Sequence, residues 1–385
     1  FSMQKAQNNF FLYSIFIIIF FIVVYTTNQY GQITQSPSTV GPLSEPDCIV
    51  NKKYSLERNM LSGTLIIEKQ GYYSLLSLPD MTSVQLPETI LEVSESPNKQ
   101  ILIAKQGDGA YNQISAFDAR GEILNTFQRK PDWDKEWHLD LRLRWLDEQN
   151  FVVGIPPSGS KLIINAITRE EQKVFLGDNN KLQFEANQSS GFVIFAPRLD
   201  QVLYKATGWV FILKAYEKSD TSMIVWAKHS TSTLATSIPA WSPNGNLIAM
   251  PIVNMDGITD LHMLEKFGLD EIKLTDFEKH YNYPMQVLIH SLAWAPDSSL
   301  IALNVHIIAD EKQQKQKDYD FDKGYLVVVD VKNNNIVDYC NSVTSPLIWS
   351  PDGKYIASGN SIIDITNKTS YKITDGKIYG WLITP

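Results

Sequence analysis

The sequence predicts an all-β chain, a seven-bladed β-propeller behind a single N-terminal hydrophobic helix, with six or eight blades as the alternatives. Three observations lead there. A segment built on an aromatic residue, a small residue, Pro and a turn residue recurs about every 50 residues. A period of ~40–50 residues with several short strands per unit is that of a propeller. The chain ends on what looks like the beginning of a unit and, past its N-terminal segment, starts on what looks like the remainder of one. The 44% hydrophobic and 20% charged residues are a globular balance, and 385 residues exceed what one ordinary core organises.

The first element is the apolar run Phe10 to Tyr25, FFLYSIFIIIFFIVVY, which carries no charge. As a helix, 10–27 would span roughly 27 Å, close to one hydrocarbon core. Residues 1–27 are therefore expected to be a signal-anchor, with a cleaved signal peptide as the alternative. No A-x-A-type cleavage site follows the run. Lys5 is the only charged residue before it, so the positive-inside rule places the N-terminus in the cytoplasm and the rest outside. The expected location is the cell membrane, single-pass, with secreted or periplasmic as the alternative. Residues 28–60 open with a Ser-, Thr-, Pro- and Gln-rich stretch and read as a spacer and lead-in segment. The propeller is expected over 61–385.

The repeat is clearest in Pro239-Ala-Trp-Ser-Pro-Asn-Gly-Asn-Leu-Ile-Ala249, Leu292-Ala-Trp-Ala-Pro-Asp-Ser-Ser-Leu-Ile-Ala302 and Leu347-Ile-Trp-Ser-Pro-Asp-Gly-Lys-Tyr-Ile-Ala357. Weaker copies are centred on Phe195, Trp145 and Glu95, the last with a carboxylate where the aromatic is expected. The stretch before each anchor reads as the innermost strand. Ser-Pro-Asp-Gly reads as a hairpin turn, in which Pro sets φ, Asp bonds the backbone and Gly accepts a positive φ. Second, third and fourth strands follow, as in Tyr355–Ala357, Ile362–Ile365 and Tyr371–Ile373. Gly63–Glu68, Tyr72–Leu78 and Ser83–Leu86 look like strands two to four without a first, and Ile378–Pro385 looks like a first strand with nothing after it. Pairing them closes the ring and removes an exposed edge.

The Trp349-Ser-Pro-Asp-Gly-Lys-Tyr-Ile-Ala357 unit, with those at Trp241 and Trp294, resembles the TolB-type, WD-like propeller repeat. The resemblance covers roughly 60–385. It implies an envelope interaction platform, and the same repeat also builds the propeller of prolyl-oligopeptidase-type enzymes. Residues 26–60 are too few for the extra α/β domain that TolB carries.

Function is less legible than fold. Thirty-four Lys plus Arg against 42 Asp plus Glu give a net charge of −8, so no nucleic-acid partner is expected. No G-x-S-x-G, G-x-x-x-x-G-K-[ST] or G-x-G-x-x-G occurs, and no cofactor is implied. The six histidines show no H-x-x-x-H spacing and the two cysteines no C-x-x-C, so neither a metal ligand set nor a catalytic residue is assigned. Recurring Trp and turn Asp read as packing and capping residues rather than as sugar-stacking or calcium-binding ones. Cys340 reads as the end of a fourth strand, and a bridge from it to Cys48 is one option for tying down the lead-in segment. Asn187-Gln-Ser189 and Asn367-Lys-Thr369 match the glycosylation pattern. Two long loops are expected to interrupt the repeat, 310–324 and 254–284. The candidate contact surface is Trp133, Trp137 and His138, aromatic and imidazole side chains amid charges on a loop. The expected function is a monomeric, membrane-tethered platform for a protein or glycan partner. The alternative is a channel-centred enzyme of lactonase or quinone-dependent dehydrogenase type.

Overall fold

The structure is a computed structural model describing residues 61–384, apart from 108–110, 129–143, 146, 154–159, 176–192, 196–200, 207–208, 215–222, 230–238, 255, 266–270, 282–285 and 309–323. The apolar run, the spacer, Cys48, Asn187, Trp133, Trp137 and His138 lie outside the described residues. Among the described residues no helix is long and apolar enough to cross a membrane.

The strands fall into successive sheets. The first holds β1 (Gly63–Lys69), β2 (Tyr72–Leu78) and β3 (Thr82–Gln85); the second, β4 (Ile90–Glu95), β5 (Leu102–Gly107), β6 (Tyr111–Phe117) and β7 (Ile123–Gln128). The third holds β8 (Arg144–Trp145), β9 (Asn150–Val153), β10 (Ser160–Asn165) and β11 (Glu171–Phe175). The fourth holds β12 (Val193–Phe195), β13 (Gln201–Ala206), β14 (Trp209–Lys214) and β15 (Met223–His229). The fifth holds β16 (Ala240–Trp241), β17 (Leu247–Val253), β18 (Thr259–Glu265) and β19 (Glu271–Lys273), followed by a one-turn helix, α1 (Phe277–His280). The sixth holds β20 (Gln286–Trp294), β21 (Leu300–Ile308), β22 (Gly324–Asp330) and β23 (Asn335–Val343). The seventh holds β24 (Leu347–Trp349), β25 (Tyr355–Ser358), β26 (Ser361–Asp364) and β27 (Thr369–Lys372). The last strand, β28 (Lys377–Leu382), returns to the first sheet and lies beside β1.

Each sheet is a four-stranded antiparallel meander, and first strands of neighbouring sheets touch in turn: β28 with β4, β4 with β8, β12 with β16, β16 with β20, β20 with β24 and β24 with β28. That arrangement is a β-propeller.

Burial explains why the middle strands are so apolar. Tyr325–Val329 of β22 and Leu65–Ile67 of β1 are buried on both faces, because a neighbouring sheet covers each side. The hydrophobic clusters are accordingly shared between sheets: Leu303, Val327 and Trp294 pack with Ala249 and Leu261 of the fifth sheet. Val328 and Leu326 pack with Trp349 and Ile356 of the seventh. The outermost β3 is exposed along its length.

The anchors end their strands as the repeat predicts. Trp241, Trp294, Trp349 and Trp381 are buried. Their indole N–H groups stitch neighbours together: Trp294 Nε1 donates to Ala240 O at 3.0 Å, Trp349 Nε1 to Ala293 O at 2.9 Å and Trp145 Nε1 to Ser94 O at 3.1 Å. Each of these three acceptors directly precedes the anchor of the preceding sheet; Trp381 Nε1 departs from that rule and donates to Ser62 O at 2.9 Å. Burial of Trp241, Trp294, Trp349 and Trp381 leaves those rings no free face for stacking on sugars. Glu95 breaks the rule usefully. Its carboxylate accepts from the backbone N–H of Trp381 at 2.5 Å and pairs with Lys99 at 2.5 Å.

The turns follow the repeat as well. Ser350 Oγ accepts from Tyr355 N at 2.9 Å and donates to Asp352 at 2.6 Å, and Gly353 sits at φ 71°. Ser242, Asn244 and Gly245 make the same arrangement. The aspartates thus cap turns. A second turn type joins third to fourth strands: Asp364 accepts from Thr366 N, Asn367 N and Asn367 Nδ2 at 2.8–2.9 Å. The amide of Asn367, half of a glycosylation pattern, is committed to that turn.

Ring closure pairs Thr64 with Leu382, Leu65 with Trp381, Ile66 with Gly380 and Ile67 with Ile378. Two corrections apply. The segment 254–284 is not a long loop: it contains β18, β19 and α1. Thr259–Glu265 buries all but two of its residues between sheets, so its Asp, His and Met hide a strand that composition suggests is a loop. Cys340 lies inside β23 rather than at its end.

Candidate functional site

Strand direction divides the connections between two ends of the propeller. Links from first to second and from third to fourth strands share one end. Links from second to third strands, and from each sheet to the next, share the other. Contacts between neighbours agree with this: Asn244 N donates to Ser298 Oγ at 3.2 Å and Ile383 N to Lys99 O at 2.7 Å, each within the first end. Ile258 and Val287 bridge in parallel at the second. The first end carries the short Ser-Pro-Asp-Gly and Asp-capped turns, and the chain enters β1 and leaves β28 there. The links 129–143, 176–192, 230–239, 274–285 and 309–323, the longest between strands, all join strand ends at the second. Trp133, Trp137 and His138 belong to the link between β7 and β8.

Three polar clusters lie toward that second end. In the first, Lys273 Nζ reaches Asp260 at 2.8 Å and Lys279 Nζ reaches Asp276 at 2.7 Å. Asp260 also accepts from Phe277 N at 2.9 Å and Thr275 Oγ1 at 3.0 Å, which fixes the path into α1. Burial alone would lower the pKa of Lys273, but its bond to Asp260 and the two carboxylates hold it above the ordinary lysine value. Burial would likewise raise Asp276, yet Lys279 and Lys273 hold it below the usual carboxylate range. This cluster is a structural brace.

In the second, the Tyr73 and Tyr379 rings meet edge-on at 5.8 Å, Lys377 Nζ lies 4.9 Å from the Tyr379 ring centre, and Lys105 pairs with Glu92. Burial first, then Tyr379, Glu68 and Glu92, push the Tyr73 hydroxyl up to about 12.

In the third, the His290 and His306 rings lie 4.1 Å apart at 64°. Asn304 Nδ2 donates to Ser345 Oγ at 3.2 Å, and Ser345 Oγ donates to Ser291 Oγ at 2.8 Å. Asn304 is buried, and its Oδ1 has no hydrogen-bond partner among the described residues. Such an acceptor costs about 1–3 kcal/mol unless something satisfies it. Partial burial holds His290 below the ordinary histidine value. Sequence spacing could not reveal this pair. The two residues are sixteen apart in sequence, and the register shift between Ile289 and Ser291 makes His290 the extra residue of a bulge between the Ile289–Val305 and Ser291–Asn304 pairs.

Among the described residues, no three His, Cys, Asp or Glu side chains converge on a common point. At the opposite end, Asn150, Ile163, Asn165, Glu170 and Glu171 line an open cavity of about 340 Å³, where Asn165 is occupied in capping its own hairpin.

No family model matches the chain, and no curated protein matches it. Among solved structures it is similar to a chain of the mitotic checkpoint complex, at 14% identity and TM-score 0.48 over 87% of this chain and 96% of that one. It is also similar to the β-propeller domain of Cps50 (Swd1) from Myceliophteria thermophila, at 12% and 0.46 over 86% and 100%. A third is a Bacteroides fragilis protein provisionally described as a 6-phosphogluconolactonase, at 12% and 0.48 over 86% and 100%. These likenesses are too distant to carry function, and the propeller assignment rests on the strand order itself.

Proposed function

We propose that this chain is a closed, monomeric seven-bladed propeller held outside the cytoplasm by its N-terminal apolar segment. It binds a protein or glycan partner through the end that carries the long connections. Seven four-stranded sheets, the first completed by β28, support seven blades rather than six or eight. The asymmetry between the two ends carries the reading. Tight capped turns, the start of β1 and the finish of β28 occupy one end, and the long connections leave from the other. Long connecting segments on a rigid scaffold are where binding residues concentrate. The resemblance of the repeat to the TolB type points the same way, toward an envelope platform. The charge of −8 weighs against an anionic partner.

A photo-crosslinking side chain placed at Trp133 or Trp137, in cells that make the protein, is expected to capture the partner. The same probe at Asn246 or Lys354, in the capped turns, is expected not to. Capture from the capped turns alone would contradict the proposal. For location, protease added to intact spheroplasts should digest the propeller, and full protection would overturn an outward-facing chain.

A further inference from the structure

We propose that β7 is a docking edge for an extended, uncharged strand of a protein partner, which adds to the second sheet as a fifth strand. The inference stands independently of the platform reading, because it concerns the outer rim rather than either end of the propeller. It starts from the outermost strand of each sheet, whose far side has no neighbouring strand among the described residues. Such an edge presents a row of backbone N–H and C=O groups, and proteins guard it with charge, bulges or shortness. Here β11, β15, β19, β23 and β27 each contain Lys, Asp or Glu, whereas β3 and β7 contain none. Shortness guards β3, which has four residues. The six of β7, Ile-Leu-Asn-Thr-Phe-Gln, include a stretch from Asn125 to Gln128 that pairs with β6 in unbroken register.

The surroundings of β7 define what fits. The register shift between Ala116 and Phe117 makes Leu124 an extra residue, so Ile123 and Leu124 both reach solvent, 59% and 41% exposed. On the side of the first sheet, a Cβ added at Gly121 would lie 3.2 Å from Val84 Cγ1, so the turn into β7 rests against β3, where Val84 is exposed. On the side of the third sheet, Asn125 Nδ2 donates to Ala166 O at 2.7 Å and to Ile167 O at 2.6 Å, which brings the exposed Ile167 beside β7. Of the charges in the adjoining turns, Asp118 caps its own turn and Arg169 Nε donates to Asn125 Oδ1 at 2.5 Å. A strand added to β7 would alternate its side chains between the Val84 side and the Ile167 side. Both are apolar, and the edge between them offers a ligand no charge to pair with, so a charged strand would be desolvated there without compensation. The occupant is accordingly an extended segment, apolar on both faces, held by main-chain hydrogen bonds and selected by alternate side chains.

The experiment pans a phage library of random peptides, about eight residues long and so of ordinary strand length, against the whole protein. The enriched peptides are expected to be uncharged and rich in β-branched and aromatic residues. A synthetic copy of one should slow amide hydrogen exchange in β7. Leu124→Lys should weaken its binding at least about tenfold, by placing a charge on the edge. N-methylation of alternate peptide amides should do the same, by removing the main-chain donors. Leu91→Lys, at a similarly exposed residue of β4 in the same sheet, should leave the affinity unchanged. Leu124 is exposed, so Leu124→Lys is expected to keep the melting temperature, which separates binding from folding. Absence of enrichment, enrichment of charged sequences, or an affinity unaffected by Leu124→Lys would overturn the proposal. A dimeric scattering mass that Leu124→Lys returns to a monomer would also overturn it, because the edge would then belong to a second copy of the chain.

Discussion

At the residue scale, the repeated tryptophan does two things at once. Trp349 buries its ring between the sixth and seventh sheets, and its N–H satisfies a carbonyl of the preceding first strand. Trp349→Ala should therefore destabilise the fold by about 3–5 kcal/mol, the usual cost of deleting a core aromatic. Chemical denaturation measures this, and a loss below about 1 kcal/mol, the scale of an ordinary surface change, would contradict the packing role. Glu95 shows how the repeat tolerates an exception: without an indole at that position, a carboxylate takes a backbone N–H of β28 and is neutralised by Lys99. Tyr73 provides a pH test. Its hydroxyl titrates at about 12 in the folded protein against 10.0 for an ordinary tyrosine. The folded state holds that proton more tightly, so the contribution of Tyr73 to stability is complete below pH 10 and lost as pH rises toward 12. An absorbance titration of phenolate should show a late step that Tyr73→Phe removes. A variant with an unchanged titration curve would show that Tyr73 is not the shifted group.

At the element scale, the turns offer a comparison made by the chain itself. Ser96, Ser242 and Ser350 each accept a backbone N–H through the side chain, but the sister turn of the sixth sheet has Ala295. Ala295→Ser should supply the missing bond to Leu300 N and stabilise by about 0.5–1.5 kcal/mol. The denaturation midpoint reports it, and a lowered midpoint would mean that this turn differs from its sisters. These turns explain why so much of the fold was readable. Pro, Asp and Gly at fixed offsets from Trp specify a hairpin through local chemistry alone, and the strands on either side are set by it. Where that chemistry is weak, reading fails. Thr259–Glu265 carries Asp260 and His262 inside a buried strand because Thr275 and Lys273 satisfy Asp260, partners that lie beyond the strand. The His290–His306 pair depends on a bulge, and the apolar patch around β7 on contacts between three sheets. Neither is a matter of spacing along one segment. The candidate contact residues Trp133, Trp137 and His138 are marked out by composition, and the link between β7 and β8 that contains them joins strand ends at the end of the propeller that carries the long connections.

At the scale of the whole molecule, the ring is closed by its own last strand. Joining β28 to β1 links residues over 300 apart in sequence, such as Thr64 and Leu382. The entropy of closing so long a loop grows only logarithmically with its length, so one well-packed strand can offset it. The join is reinforced beyond the sheet. Trp381 Nε1 donates to Ser62 O at 2.9 Å, Glu95 accepts from Trp381 N, and Lys99 O accepts from Ile383 N at 2.7 Å, so the second sheet also grips the returning strand. Without β28, β1 and the packing face of β4 would be left uncovered, and uncovered strand edges promote association. The most direct measurement compares the full chain with one ending at Lys377, by melting temperature and light scattering under identical conditions. The ring predicts a lower melting temperature and concentration-dependent association for the shortened chain. An unchanged melting temperature with a monomeric scattering mass would contradict closure through the composite first sheet.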